Sequence, residues 1–107
     1  MSNQQANLLM APAATVEVKS YIGINNLEMP HTFLEVTDIH GNVYDFGFAP
    51  QVAGLPLSPG EIYNDASHPF TNSSGSITLS ADQGIQLQQY INASITIPPV
   101  YSIVSNN

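Results

Sequence analysis

The sequence predicts an α+β fold: an antiparallel sheet of four to five strands with one C-terminal helix packed on it. Three segments in the first half alternate apolar and polar residues, as half-buried strands do, and they begin near Thr15, His31 and Val43. Residues 80–83 have the spacing of a capping box, which predicts the start of a helix. A length of 107 residues suits one hydrophobic core and hence one domain.

Residues 1–14 are predicted to be a flexible lead-in, and residues 15–107 a single β-rich domain. The lead-in contains no Lys or Arg, and Pro12 interrupts its apolar part. It therefore lacks the charged and the continuous apolar regions of a signal peptide. The first strand is expected from Thr15 onward with a bend near Ser20, and residues 25–30 are expected to form a turn.

A hairpin turn is predicted at residues 38–42, because Asp begins this segment and Gly41 can take the positive φ that a tight turn needs. A three-residue loop at residues 39–41 would pair Glu35 with Asp45. A slip of one residue would move every side chain of one strand to the other face. In the predicted register one face carries His31, Phe33, Glu35 and Asp45, and the other carries Leu34, Val36, Tyr44, Phe46 and Phe48.

The second half of the chain is predicted to hold a long loop, a short strand, the helix and a final element. Residues 50–70 are rich in Pro, Gly, Ser and Asn and are expected to form an ordered loop held by apolar side chains. A short strand is expected at 76–79, the helix up to about Ile95, and a last strand or the entry to another element at 100–104. The helical side chains expected in the core are Ile85, Leu87, Ile91 and Ile95.

Charged residues make up only 8% of the chain, far below the roughly 25% of an average soluble domain. The net charge is -7, and Lys19 is the single basic residue. Binding to nucleic acid or to an anionic membrane surface requires several cations, so both are excluded, and no stretch predicts a transmembrane span. We expect neutral or basic partners and an extracellular or envelope-exposed location.

The sequence contains no cysteine, so a disulfide, a zinc knuckle or a thiol nucleophile cannot form within these 107 residues. The three histidines, His31, His40 and His68, lack the short spacing of metal-binding motifs. Glu61 and Asp65 can in principle bind Ca²⁺, but no complete EF-hand loop surrounds them. No metal and no cofactor are therefore predicted.

His31 is the first candidate for a functional residue, because an imidazole titrates near neutrality and is the commonest general base. The alternative is a structural or surface histidine, which is the more frequent case for a lone histidine at a strand start. His40 lies at the predicted hairpin tip, where exposed polar residues are usual. His68 precedes Pro69 in the long loop and has no feature that fixes its position.

Glu35 and Asp45 are the second candidates, since the predicted register places them opposite each other. A pair of acids can serve as the acid and nucleophile of a glycosidase. Like charges directly opposite each other destabilise a sheet. The interpretation preferred from the sequence is therefore that the register is off by one, or that both side chains point to solvent.

Four segments carry a family resemblance: PHTFLEVTD at 30–38, GNVYDFGFAP at 41–50, SPGEIYND at 58–65, and YSIVSNN at 101–107, which follows the helix. Together they resemble the first, histidine-bearing half of a permuted papain-like, NlpC-type cysteine hydrolase. The resemblance covers residues 16–107 and is closest to the toxin domains of bacterial type VI and contact-dependent effectors.

In that family the histidine on the first strand of the sheet is the base, and an Asn-Cys step opens the helix of the nucleophile. The resemblance thus implies that His31 is the base and that residues 105–107 lead up to the cysteine. No motif fixes the third, orienting residue, for which Asp45 is the candidate and Glu35 the weaker alternative. A chain truncated before the nucleophile helix, a second half on another chain, and a false resemblance are the three interpretations of the missing cysteine.

The implied activity is hydrolysis of an amide bond, in peptidoglycan peptides or elsewhere, by a secreted antibacterial effector delivered to the periplasm of a target bacterium. Its implied partners are the substrate peptide, an immunity protein and the missing C-terminal half. Without a cysteine the chain alone is expected to be inactive. The alternative is a non-catalytic extracellular binding or structural β-module, which the low charge and the many Asn, Gln, Ser and Thr residues fit equally well.

Overall fold

The computed structural model describes residues 5–22, 31–50, 57–98 and 100–102. These residues form seven β-strands and one α-helix. The elements in chain order are β1 (Ala13–Tyr21), β2 (His31–Asp38), β3 (Val43–Pro50), β4 (Leu57–Asn64), β5 (Asn72–Ser73), β6 (Ile77–Thr78), α1 (Ala81–Thr96) and β7 (Val100–Ser102).

The strands pair in the order β5–β1–β2–β3–β4–β7, with β6 also paired to β1, and every pairing is antiparallel. The predicted α+β class, with an antiparallel sheet and one helix, is confirmed. The four long strands β1 to β4 form the centre, and the described residues add three short strands at the margins, so the sheet exceeds the predicted four to five strands.

The β2–β3 hairpin has the predicted register, with Glu35 opposite Asp45. Gly41 takes a positive φ of 86° in the turn, as the sequence indicates. Asp38 stabilises the turn, because its Oδ1 accepts hydrogen bonds from the backbone N–H groups of His40 and Asn42 at 2.8 and 2.9 Å. Burial works to raise the pKa of Asp38, but these bonds to the charged form outweigh it and lower the pKa.

Helix α1 begins with the predicted capping box. The Ser80 side chain accepts from the Gln83 backbone N–H, and the Gln83 side chain accepts from the Ser80 backbone N–H. The predicted core positions Ile91 and Ile95 are buried, whereas Ile85 is 41% exposed and that prediction is wrong. The reason is that the buried stripe begins at Gly84 instead, which lies against the backbone of β1.

Residues 5–14 are built into the fold, in contrast to the flexible lead-in predicted for 1–14. Leu9 is 1% exposed, and β1 starts at Ala13 rather than at Thr15. The side-chain amide of Asn92 in α1 bonds both backbone groups of Leu9, accepting from its N–H at 2.7 Å and donating to its carbonyl at 3.0 Å. The backbone N–H of Ala6 donates to Ile62 of β4 at 2.9 Å.

Strand β4 lies inside the segment that the sequence predicts as a long loop. Its residues 60–64 pair with residues 46–50 of β3. Pro and Gly are depleted in strands, so Pro59 and Gly60 conceal this strand from pattern analysis. Pairing with β3, which depends on residues distant in sequence, overrides the weak local preference.

The sheet has two unlike faces. The helix face, formed by Val16, Leu34, Val36, Phe46 and Ile62, packs with Leu9 and α1 into the hydrophobic core. Successive side chains of a strand point to opposite faces, so the residues between them form the other side. We call this side the polar face and define it by Lys19, His31, Glu35 and Asp45.

Among the described residues, no helix has both the length and the apolar character needed to cross a bilayer.

Candidate functional site

The polar face brings together residues from four strands. His31 is the first residue of β2 and lies opposite Tyr21, the last residue of β1. Two residues along β2, Phe33 lies opposite Gly47 of β3, which in turn lies opposite Tyr63 of β4. The alternation of β4 continues into Asp65, which directly follows the strand and reaches the same face.

His31 and Asp65 form a hydrogen-bonded pair at the centre of this site. The distance from His31 Nε2 to Asp65 Oδ2 is 2.7 Å, the length of a charge-assisted bond. The Asp65 side chain is fully buried, whereas 22% of the His31 side chain is exposed. The backbone N–H of Asp65 donates to the carbonyl of Asp45 at 3.0 Å, and this bond holds Asp65 beside β3.

The pair lies directly above Gly47. A Cβ atom at this position would be 1.7 Å from Asp65 Oδ2 and 2.8 Å from His31 Nε2, so any side chain there would displace both groups. A glycine within a strand often marks a close approach by another group, and here that group is the histidine–aspartate pair.

The hydrogen bond assigns chemical roles to the two ring nitrogens of His31. A carboxylate only accepts, so Nε2 carries the proton that is donated to Asp65, and in the neutral ring Nδ1 holds the lone pair. No described residue forms a hydrogen bond with Nδ1. A buried acid that fixes the tautomer and stabilises the imidazolium is the arrangement that makes a histidine effective as a general base.

His68 packs against His31, with the ring centroids 4.8 Å apart. It also contacts Phe33 at 5.4 Å and, edge-on, Tyr21 at 5.7 Å. Its Nδ1 donates to the Pro69 carbonyl at 2.7 Å, since a carbonyl only accepts. The loop after β4 thus covers one side of the His31 ring and leaves a second imidazole beside it.

His40 is exposed in the β2–β3 turn, at the opposite end of β2 from His31. The structure therefore brings His31 and His68 together and separates both from His40. Within the described ranges there is no group of three potential metal ligands, and none forms around Glu61 and Asp65.

Glu35 and Asp45 face each other across the β2–β3 hairpin. The backbone N–H of Asp38 donates to the carbonyl of Asn42, so these two residues form a hydrogen-bonded pair of the hairpin. Hydrogen-bonded and non-hydrogen-bonded pairs alternate along an antiparallel ladder, and Glu35 with Asp45 is a non-hydrogen-bonded pair. The opposite Cα atoms of such a pair are about 4.5 Å apart. Lys19 Nζ lies 3.1 Å from Glu35 Oε1. Asp45 is 8% exposed, and its Oδ1 is buried without a hydrogen-bond partner.

This environment favours the neutral form of Asp45. Burial, then the hydrogen bond with Glu35 and the charge of Glu35, raise its pKa from 3.8 to about 7, and Lys19 only partly opposes them. The expectation of a shifted register or of two solvent-exposed acids is wrong, because Glu35 lies opposite Asp45 as predicted and Asp45 is buried.

The acid in contact with His31 is Asp65 rather than Asp45 or Glu35. From the sequence, Asp65 is a candidate only as a calcium ligand, because the pattern of residues 57–64 does not predict β4. One clue was available: Gly47, in the middle of a predicted strand and opposite Phe33, indicates that something approaches closely there.

The described residues line at least two grooves beside the sheet. One, of about 290 Å³, lies between α1 and the helix face and is mostly apolar; Leu34, Phe46, Ile62 and Tyr90 are among its lining residues. The other, of about 230 Å³, lies beside Asp45, between Asn7 and Asn64. Of these two grooves, the second is the one lined by Asp45.

Comparison of the chain with protein-family models, with curated proteins and with solved structures finds no match in any of the three.

Proposed function

We propose that this chain is the histidine-bearing half of a permuted papain-like, NlpC-type cysteine hydrolase that cleaves amide bonds, with peptidoglycan peptides as the first substrates to test. The observation that carries the proposal is the His31–Asp65 pair. His31, the proposed base, lies on a strand and is held by the buried Asp65, as such an enzyme requires. Both residues lie in segments that carry the resemblance.

In this proposal Nδ1 of His31 removes the proton from a cysteine thiol, and the thiolate attacks the carbonyl carbon to form an acyl-enzyme. The imidazolium, stabilised by Asp65, then gives the proton to the leaving amine. The same nitrogen then takes a proton from water, whose oxygen attacks the thioester carbonyl; the C–S bond breaks, the acid product leaves, and the imidazolium returns the proton to the sulfur. The thiol has to come from outside these 107 residues, because they contain no cysteine.

The proposed setting is that of a secreted antibacterial effector acting in the periplasm of a target bacterium, together with an immunity protein. The composition supports it, since 8% charged residues and a surface of Asn, Gln, Ser and Thr suit a protein that acts outside the cytosol.

The first test uses the parent gene and its complete product. We expect the codons after Asn107 to encode a cysteine within a few residues, followed by an amphipathic helix. The complete product should then cleave purified peptidoglycan, and His31→Ala should lower kcat/KM by about 10²- to 10⁴-fold. The control is His40→Ala, which changes an exposed turn residue and should retain full activity. A gene without that cysteine, or turnover that survives His31→Ala, would refute the proposal.

The second test asks whether the pair exists in solution. NMR of the chain should show a downfield Nε2–H resonance for His31. Gly47→Ala should abolish it, because the new methyl group would overlap Asp65 Oδ2. The control is Gly75→Ala, which adds a Cβ with no atom within 4 Å and strains only a surface turn. A resonance unaffected by Gly47→Ala would contradict the geometry.

A second candidate function is a non-catalytic binding module, and the apolar groove of about 290 Å³ beside α1 favours it. Tyr90 at its rim is 70% exposed, and an exposed aromatic at an apolar groove is typical of a binding surface. This function becomes the better one if the parent gene ends without a cysteine.

A further inference from the structure

The Glu35–Asp45 pair has no role in the proposed reaction, yet it is directly linked to the residue that holds His31. The carbonyl of Asp45 accepts the backbone N–H of Asp65 at 3.0 Å. Asp45 itself is more than nine-tenths buried, and its Oδ1 has no hydrogen-bond partner. A buried and unsatisfied carboxylate oxygen is costly, whereas a protonated carboxyl group that donates to a neighbour is not.

The groups around Asp45 explain why it would hold a proton. Those facing it are Glu35 on β2, Lys19 and Glu17 on β1, and Tyr63 and Asp65 at the end of β4. The adjoining residues 5–8 carry no titratable side chain, and α1 lies on the other face of the sheet. Lys19 is therefore the single cation among several acids, and it is already paired with Glu35.

We propose that Asp45 is a positioning residue of the site: while it shares a proton with Glu35, the pair carries one negative charge instead of two beside the Asp65 carboxylate that holds His31. The proposal rests on the proposed role of His31 as the base. When the proton is lost, Asp45, Glu35 and Asp65 become three neighbouring negative charges. Their repulsion weakens the hydrogen bond from the Asp65 backbone N–H to the Asp45 carbonyl. Asp65, which orients the imidazole of His31, then loses its fixed position.

The experiment is an NMR titration of this chain from pH 4 to pH 9, with labelled aspartate carboxyl carbons and backbone amides. We expect the Asp45 Cγ signal to titrate with a midpoint near 7, in agreement with its raised pKa. The Asp65 amide proton, which donates to Asp45, should move upfield in the same step as its hydrogen bond lengthens.

Three variants separate this effect from the titration of His31 itself. Asp45→Asn should remove the Asp65 amide step, because the neutral amide has no proton to lose. His31→Gln should retain that step. Glu35→Gln should shift it to lower pH, since both the hydrogen bond and the charge of Glu35 raise the pKa of Asp45. Asp38→Asn, an equivalent change at the other end of β2, should leave it unchanged.

The proposal is overturned if Asp45 titrates near pH 4, or if the Asp65 step disappears in His31→Gln and persists in Asp45→Asn. If Asp45→Asn does not fold, Glu35→Gln tests the same point, because the Asp65 amide step should then move to lower pH. None of these measurements requires turnover. If the complete product fails to cleave peptidoglycan but the Asp65 amide signal still shifts with the titration of Asp45, the hydrolase is refuted and the link between Asp45 and Asp65 stands. If the product cleaves peptidoglycan but the Asp65 amide signal does not shift, only the role of Asp45 is refuted.

Discussion

Two buried aspartates in the same hairpin illustrate how strongly local hydrogen bonding controls a carboxyl group. Asp38 is 2% exposed, and backbone N–H groups of the turn donate to it, so its charged form is stabilised and its pKa is lowered despite burial. Asp45 is 8% exposed, and burial, followed by the hydrogen bond and the charge of Glu35, raises its pKa to about 7. The two residues should therefore affect stability with opposite dependence on pH.

We expect the free energy of unfolding to fall by about 2 kcal/mol between pH 4 and pH 7 on account of Asp45. With a pKa of 3.8 in the unfolded chain and about 7 in the folded one, the folded state binds more protons across this range. The stabilisation is complete below pH 4 and is lost as the pH rises through 7. An isolated group would contribute about 4 kcal/mol, and sharing the proton with Glu35 reduces this.

Asp45→Asn should remove that slope and make the protein more stable than the wild type at pH 8. Urea unfolding at a series of pH values measures both effects. Asp38→Asn is the control, because it removes a carboxylate whose stabilisation is lost toward acidic pH and should leave the Asp45 slope in place. A wild type whose stability does not change between pH 5 and 8 would contradict the prediction.

The register that places Glu35 opposite Asp45 could be predicted from the sequence, although the repulsion of like charges favoured the wrong interpretation of it, whereas the contact between His31 and Asp65 could not be predicted. The first follows from a turn of three residues, where Asp38 and Gly41 specify the conformation and hence the register. The second requires β4 to be placed beside β3, and residues 34 positions apart meet only through that pairing.

At the scale of elements, helix α1 shows the same division between local and distant effects. Its start could be predicted, because the capping box involves residues three positions apart. The face that it buries was misjudged at Ile85, because the approach of β1 to Gly84 determines the rotation of the helix about its axis. Apolar periodicity alone does not reveal a buried glycine.

We expect Gly84→Ala to destabilise the protein by about 1 to 3 kcal/mol. Alanine is favoured over glycine within a helix by about 1 kcal/mol. At this position its Cβ would lie 2.0 Å from the carbonyl oxygen of Ala13, and backbone cannot move aside as a flexible side chain can. The overlap therefore outweighs the gain in helix propensity. Thermal unfolding followed by circular dichroism gives the difference.

Gln86→Ala is the matched control for that measurement, since Gln86 lies on the exposed side of the same helix. Its effect should stay within about 0.5 kcal/mol. Equal or greater stability of Gly84→Ala relative to the wild type would mean that α1 does not approach β1 as closely as the structure places it.

At the scale of the whole molecule, the sheet separates two tasks. Its helix face forms the hydrophobic core, and its polar face carries the histidine–aspartate pair and the Glu35–Asp45 pair. Residues 5–14 contribute side chains to this core, and the Asn92 side chain of α1 bonds the backbone of Leu9. The sequence predicts a flexible lead-in here, because Pro12 interrupts its apolar part and its buried positions, Ala6, Leu9, Ala11 and Ala13, follow no regular period.

Leu8 and Leu9 provide a direct test of whether this segment belongs to the core. Leu9 is 1% exposed and packs against the core, whereas Leu8 is 45% exposed. Leu9→Ala should lower the free energy of unfolding by about 2 to 4 kcal/mol, the cost of a cavity in a close-packed interior. Leu8→Ala should change it by less than about 0.5 kcal/mol. Chemical denaturation of both variants measures the difference, and similar small effects would show that residues 5–14 are the flexible lead-in that the sequence predicts.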